Sequence, residues 1–437
     1  MVTLQFYFKT GMLLANSIKF TVKHNLCTGC GVCESACPSK SIATIVRKGQ
    51  FVPLINETTC TNKKGCHRCF DICPGHSVPL NAMAQNCFNS TETQQDINIG
   101  RYLACFTGYS TDNDIRYHCA SGGMLSQFLI WLLEKKHIDG AVVTKFDPTN
   151  ELLVRSFVAT TKEEILSAKS SKYAPVTLNH AIQDVKSREG KFVIVGLPCH
   201  LHGFRKYEQI DQKFKDKIAG YFGLYCSGGR TFYLTEHIFK EKGIDKKDLE
   251  YFAYRDEGCL GSLVAKGINN DTQKPFLVKE DFLRYYAPLR SFFKPRRCLF
   301  CIDHFAELAD VSFGDIHVAP YSEDRVGINS VIVRNPQFLA WLKSAADDDC
   351  IKINSLDTQI LIKSQAVISH KKNRPATFLK LDKLRGRKIP LYDVELKDNA
   401  RIKSLIAYLH TFVQIYIGRQ KKLWFIISLL KRKPAVK

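Results

Sequence analysis

The chain has 437 residues, enough for two or three domains, and its 45% hydrophobic and 11% aromatic content excludes a disordered polypeptide. Its 17 cysteines are spread over too long a chain for a small secreted disulfide scaffold, which points to thiolate chemistry in a reducing compartment. The formal charge of +21 invites nucleic acid as a partner, but no recognisable binding module accompanies it, so no nucleic acid is expected.

Residues 1–20 read as a loosely specified extension. Lys9 interrupts their apolar stretch and no small-residue cleavage site follows, while no apolar run approaches a membrane span. A cytoplasmic location is the expectation.

Residues 21–85 carry the densest chemistry, an α+β ferredoxin-like two-cluster module. Cys27, Cys30, Cys33 and Cys37, the last followed by Pro38, repeat the C-x2-C-x2-C-x3-C-P run of two-cluster ferredoxins. Cys60, Cys66, Cys69 and Cys73, followed by Pro74, repeat it with five residues rather than two after the first cysteine. In such runs the fourth cysteine serves the other cluster. One [4Fe–4S] cluster is therefore expected on Cys27, Cys30, Cys33 and Cys73, and a second on Cys60, Cys66, Cys69 and Cys37. Zinc also takes C-x2-C pairs, but it wants two pairs rather than two triplets each trailed by Cys-Pro. With each ligated cluster carrying about −2, two or three of them bring the net charge to roughly +15 to +17.

Residues 86–98 are polar and read as a linker. From Ile99 the rhythm becomes strand, loop, helix, dividing into regions 99–190 and 191–355. Strands are expected at Tyr102–Phe106, Ala141–Phe146, Lys191–Gly196, Ala219–Tyr225 and Ser330–Val333. Helices are expected over Gly123–Lys136, from Pro198, after Gly229 to Lys240, and from Pro336. This alternation predicts an α/β body with parallel pairing. The last region, 356–437, predicts a basic helical tail. Ile402, Leu405, Leu409, Phe412, Val413, Tyr416 and Ile417 recur at helical spacing, followed by Leu423, Ile426, Ile427 and Leu430. Between Arg401 and Lys437 stand nine Lys or Arg and no acid. Such a stripe docks on its own core, or lies with Trp424 on the anionic inner face of a membrane.

Cys199 and Cys226 each follow the end of a predicted strand, where loops of an open α/β sheet face one crevice. With Cys298 and Cys301 they make four thiols, the number a third cluster requires. Buried cysteines acting as small hydrophobes, or zinc at Cys298 and Cys301, are the plainer readings. Cys87, Cys105, Cys119, Cys259 and Cys350 lack ligand-like spacing. Ser121-Gly122-Gly123 opens a helix, a place suited to phosphate, with Arg116 upstream and Lys172 and Tyr173 downstream as further donors. Lys172 and His200 are acid/base candidates because each sits beside an expected cofactor segment, with a merely structural role as the alternative. Arg255-Asp256 and Gly314-Asp315 read as solvated turns.

These motifs stand in a familiar order: Ser121-Gly-Gly, Ile138-Asp-Gly-Ala-Val-Val143, Ser171-Lys-Tyr173, Gly196-Leu-Pro-Cys199, Gly223-Leu-Tyr-Cys226, and Cys298-Leu-Phe-Cys301 leading to Gly314-Asp315. Over roughly residues 21 to 345 the chain resembles the coenzyme F-420 hydrogenase/dehydrogenase beta-subunit family, here with a two-cluster ferredoxin domain in front. The resemblance implies an α/β flavin-binding body with FAD at Arg116, Ser121, Gly122, Gly123, Lys172 and Tyr173. It favours the third cluster, and it implies electrons passing from a ferredoxin-like partner through [4Fe–4S] clusters and flavin to a small organic substrate. That substrate could be a deazaflavin, or a polysaccharide-pathway compound, since many bacterial members lie among such genes. The alternative is a non-catalytic electron-transfer subunit of a larger redox complex. Cys119-Ala120 stands where the family often has further serines.

Overall fold

The computed structural model describes residues 16–289, 291–365, 371, 373–396 and 402–430. Residues 1–15 of the expected extension and the basic stretch Lys431–Lys433 lie outside them. Ile18–Lys23 (α1) already belongs to the cysteine module, because Ile18 packs with Cys33, Ile42 and Cys73 in one apolar cluster. Val32–Ser35 (α2) follows the first cysteines, and Ile42–Arg47 (β1) pairs antiparallel with Gln50–Ile55 (β2). Arg68–Asp71 (α3) carries Cys69. The expected linker is more structured than its composition implies. The helix Leu80–Cys87 enters it, and Gln94–Asp96 pairs with Gly100–Tyr102.

The body begins with Ala104–Ser110 (β3), Met124–Glu134 (α4), Gly140–Phe146 (β4) and Val154–Ala159 (β5). It continues through Asn179–Ser187 (α5), Phe192–Gly196 (β6), Pro198–Glu208 (α6), Ile218–Leu224 (β7) and Tyr233–Lys242 (α7). Leu249–Asp256 (β8), Ser262–Ile268 (β9) and Pro275–Asp281 (β10) form a separate antiparallel sheet. Val311–Asp315 (β11), Asn329–Val333 (β12), Pro336–Asp347 (α8) and Ile351–Ser355 (β13) complete the main sheet, whose order is β13-β3-β12-β11-β7-β6-β4-β5.

The sheet is mixed, not uniformly parallel as expected. Only β11-β7-β6-β4 run parallel; β5, β12, β3 and β13 pair antiparallel. Parallel neighbours need a crossover of a dozen or more residues, usually helical. The β4–β5 connection is a turn closed by Asp147 on Thr149, and the β11–β12 connection holds only a 3-10 turn. The apolar run of β6 is buried on both faces, as a central parallel strand should be. Helix α4 is apolar on most sides and accordingly buried, with Phe128, Leu129, Ile130, Trp131 and Leu132 in the core. Asn335 caps α8 by accepting from the amides of Gln337 and Phe338, with Pro336 at its first turn.

The tail comprises Arg374–Leu384 (α9), Ile402–Arg419 (α10) and Trp424–Leu430 (α11). Trp424 is not a surface anchor. It is buried with Ile427 beside Tyr233, His237 and Phe293, and its indole N–H donates to the carbonyl of Gly418 at 3.0 Å. Helix α10 docks through Tyr408, Ile415 and Ile417 but leaves Leu405, Leu409, Val413 and Tyr416 outward. Half of the predicted stripe is therefore exposed. Among the described residues no helix is long and apolar enough to cross a membrane.

Candidate functional site: three thiol groups and a buried polar network

The cysteine module folds so that one cavity is lined by Cys27, Cys30, Cys33 and Cys73, the set expected for the first cluster. Gly31 enters α2 with a φ of 81°, which lets the loop curl so that Cys30 and Cys33 face the same space. Amides point at the sulfurs: Gly29 donates to Cys27 at 3.4 Å and Gly75 to Cys73 at 3.3 Å. Burial, then the charge of Cys73, pushes the Cys30 thiol up to about 11. Ligation of such thiols to iron must therefore expel protons.

The second expected set also comes together. Burial raises the Cys69 thiol to about 11, and the charges of Cys37, Cys60 and Cys66 act on it in the same direction. The Ser41 amide donates to Cys37 at 3.3 Å. Among the described residues no three thiols, imidazoles or carboxylates converge closely enough to share a single metal ion.

Cys199 and Cys226 leave the carboxyl ends of neighbouring parallel strands β6 and β7, where Gly196 and Gly223 are in register. The 3-10 turn Arg296–Phe300 brings Cys298 and Cys301 to the same crevice. Burial raises the Cys199 thiol well above its ordinary value, followed by the charges of Cys30, Cys226, Cys298 and Cys301. The Gly229 amide donates to Cys298 at 3.3 Å. Lys371 is buried beside Cys301, Cys226 and Cys298, yet its ammonium has no hydrogen-bond partner among the described residues. A buried ammonium left so is costly unless an anion lies against it, and a thiolate-ligated cluster is one. The residues fit the group.

The six residues expected at the flavin gather near a network that the sequence did not disclose. Arg255 is buried and donates twice to Asp315, from Nη1 and Nη2, each at 2.9 Å. The pair is an interior bridge, not a solvated turn as expected. Burial would raise the Asp315 carboxyl, but the Arg255 guanidinium and the Ser121 hydroxyl hold it well below the usual carboxylate range. Ser121 donates to Asp315, and the Met124 amide at the head of α4 is taken by Asn329 at 3.1 Å. The expected open phosphate cradle at Ser121-Gly122-Gly123 is thus largely engaged within the fold. A Cβ on Gly122 would fall 2.5 Å from the Gly327 carbonyl, so that glycine serves close backbone packing. Arg116 is paired with Asp324 at 2.8 Å and lies over the Tyr109 ring.

Lys172 and His200 are spent structurally. Lys172 Nζ donates to the carbonyls of Ala168, Lys169 and Ser170, and burial lowers it to about 7. His200 Nδ1 accepts from the Leu197 amide at 3.1 Å, which leaves Nε2–H to donate to Val176 at 3.1 Å. Burial lowers that imidazole to about 4, so it stays neutral as a helix cap. Tyr173 packs among Tyr254, Phe282 and Tyr286, next to Arg255. His118, bonded to Asp256 at 2.9 Å, is a polar pair that sequence reasoning passed over. Its two halves are 138 residues apart, and no spacing links them.

Fold and sites together define an iron–sulfur redox protein, with a ferredoxin-type segment ahead of a mixed α/β body. The comparisons specify it further. Residues 20–43 match the 4Fe-4S binding domain, residues 105–183 the N-terminal part of the coenzyme F420 hydrogenase/dehydrogenase beta subunit, and residues 189–359 its C-terminal part. The chain belongs to that beta-subunit family, in agreement with the motif order. It is 28% identical over 327 residues to the coenzyme F420-dependent sulfite reductase of Methanocaldococcus jannaschii, covering 72% of this chain and 45% of that relative. It thus spans less than half the length of that protein. Ferredoxin-1 of Rhodobacter capsulatus is 40% identical over 67 residues, 15% of this chain and 83% of the ferredoxin. Among solved structures, a chain of the F420-reducing [NiFe] hydrogenase complex from Methanosarcina barkeri shares the fold, with a TM-score of 0.51 at 19% identity over 68% of this chain and 98% of that one.

Proposed function

We propose that the protein is a flavin-dependent iron–sulfur oxidoreductase that takes electrons from a ferredoxin-type carrier and delivers them to a small organic substrate. Cys27, Cys30, Cys33 and Cys73 would hold the first [4Fe–4S] cluster, Cys60, Cys66, Cys69 and Cys37 the second, and Cys199, Cys226, Cys298 and Cys301 a third. Clusters carry electrons singly, and a bound flavin, FAD by family resemblance, pairs them into a hydride. The observation that carries the reading is the continuity of the thiol groups. Cys33 of the first set feels the charge of Cys69 of the second, and Cys199 of the third feels that of Cys30.

The chain's own residues supply positioning and charge. The amides of Gly29, Ser41, Gly75 and Gly229 stabilise the thiolates, and Lys371 offsets negative charge in the third group. By family resemblance the flavin would lie at Arg116, Ser121, Gly122, Gly123, Lys172 and Tyr173, beside the Arg255–Asp315 pair. The acceptor is an organic hydride acceptor; the deazaflavin named for the relatives is the first to assay. The exposed stripe of α10, with a sequence around it rich in Lys and Arg, supports peripheral contact with an anionic inner leaflet, in keeping with a cytoplasmic location. Sedimentation with phosphatidylglycerol vesicles, but not with phosphatidylcholine vesicles, is the expected result.

Absorbance and metal analysis of the anaerobically purified, reconstituted protein test the main reading: flavin bands and about twelve irons are expected. The engaged Ser121 turn favours a second reading, a non-catalytic electron-transfer subunit. That reading gains if the irons are present and flavin is absent.

A further inference from the structure

The second cysteine run departs from its template by the five-residue spacer Thr61–Gly65, where the first run has two residues, and the fold shows where the longer spacer goes. It forms a 3-10 turn beginning directly after Cys60, with Lys63 and Lys64 exposed. The Asn62 side-chain Nδ2 donates to the Cys66 carbonyl at 2.8 Å, which fastens the turn against the second thiol set. Gly65 closes it with a φ of 91° and open space where a side chain would be. Across the same set, the Lys40 amide donates to the Cys37 carbonyl and the Lys40 side chain is exposed. Arg68 precedes Cys69.

Burial differs between the two sets of the cysteine module. Cys30, Cys33 and Cys73 of the first set are buried and Cys27 is intermediate, whereas Cys37, Cys60, Cys66 and Cys69 are all partly exposed, as are the four cysteines of the third group. The loop of the first set is fastened to the body, where the Leu178 amide donates to the Cys30 carbonyl at 3.3 Å. The Cys60–Cys66 turn is instead bonded within the cysteine module, through the Asn62 side chain to the carbonyls of Asn16 and Cys66.

We infer that the spacer turn, with Lys40, Lys63 and Lys64 around the Cys37/Cys60/Cys66/Cys69 set, is the docking surface for an acidic one-electron carrier protein. The inference rests on the reading that this set holds a cluster. In the encounter the reduced carrier is oxidised by one electron as the second cluster is reduced; no bond forms or breaks and no proton moves. Opposite charge steers such encounters and raises their rate at low salt. The acids near this surface are Glu57, which is engaged by Lys19, and Asp71, exposed two residues beyond Cys69.

The test uses the full-length, reconstituted protein and its Lys63→Glu/Lys64→Glu variant, with Lys343→Glu as a remote exposed control. A reduced, acidic two-cluster bacterial ferredoxin is the probe, and bleaching of cluster absorbance is followed by stopped flow. The double variant is expected to lose at least about tenfold in second-order rate at low ionic strength, with a flatter salt dependence. Reduction by the small cation methyl viologen radical is expected to be no slower. The control should match the parent. An unchanged ferredoxin rate in a variant with its full iron content overturns the docking inference. If Cys60→Ser and Cys66→Ser leave iron content and spectrum unaltered, the cluster reading itself fails, which is a separate outcome.

Discussion

Arg255, at the end of β8, holds both carboxylate oxygens of Asp315, at the end of β11, in a bidentate bridge of 2.9 Å bonds. The bridge ties the three-stranded sheet to the main sheet beside Ser121. Removing one partner strands the other charge in the interior, a loss on the order of 3–5 kcal/mol. Arg255→Met should therefore lower the midpoint of urea denaturation markedly, and Arg255→Met/Asp315→Leu should recover part of the loss. Equal destabilisation of single and double variants would show that the bridge is not the cause.

The same bridge sets a pH dependence. The Asp315 carboxyl titrates lower in the folded protein than in the unfolded chain, where it is near 3.9. Its contribution is then complete above about pH 4 and fades as pH falls further through the folded value. Asp315→Asn should be less stable at pH 7, and its stability should fall less steeply between pH 4 and 3. Parallel acid-denaturation profiles for variant and parent would count against this.

How legible these features were depends on the distance over which a signal acts. The cysteine runs were legible because their spacing is local, and the fold gathers Cys27, Cys30, Cys33 and Cys73 around one cavity. Cys199 and Cys226 were readable because strand ends in parallel register place their loops together. Arg255 and Asp315 were not, since their pairing spans 60 residues and nothing in either loop marks it as buried. Lys172 and His200 could be chemical or merely structural by sequence, and in the fold the local backbone takes up the polar atoms of both. The tail misled through direction, because periodicity defines a stripe but not which side of it meets the core.

Serine at Cys298 and Cys301 removes two of the four thiolates the third group offers. Iron content of the double variant should fall from about twelve to about eight per chain, with the first two clusters retained. Electron paramagnetic resonance of the reduced protein should lose one signal and the magnetic coupling it contributes. Unaltered iron would refute ligation by this pair.

Gly31 joins the cysteine module to the body. A Cβ there would meet the Thr177 hydroxyl at 2.3 Å and the Asn179 amide nitrogen at 3.0 Å, with φ in the left-handed region. Gly31→Ala costs roughly 1–2 kcal/mol in backbone strain before any collision is counted. The close approach is also where the Leu178 amide donates to the Cys30 carbonyl, so the module should be displaced from the third thiol group. Slower reduction of a cluster at Cys298 and Cys301 than of those in the cysteine module is expected, and Thr177→Ala should restore part of the rate. Identical kinetics in parent and Gly31→Ala would disprove the coupling.

Trp424 anchors the tail by packing edge-on to Tyr233, His237 and Phe293, with Ile427 buried one turn on. Replacing a buried Trp by Ala forfeits about 3–5 kcal/mol, here concentrated on how α11 and the end of α10 hold to α7. Trp424→Ala should therefore expose the tail to limited proteolysis near Arg419 and Lys421 while leaving iron content whole, because the cysteine sets lie elsewhere. Trp424→Phe keeps a ring in the pocket but loses the hydrogen bond to Gly418, and should fall between the two. Proteolysis of Trp424→Ala at the parental rate would mean that α10 alone fixes the tail through Tyr408, whose hydroxyl is bonded to Asp382 of α9.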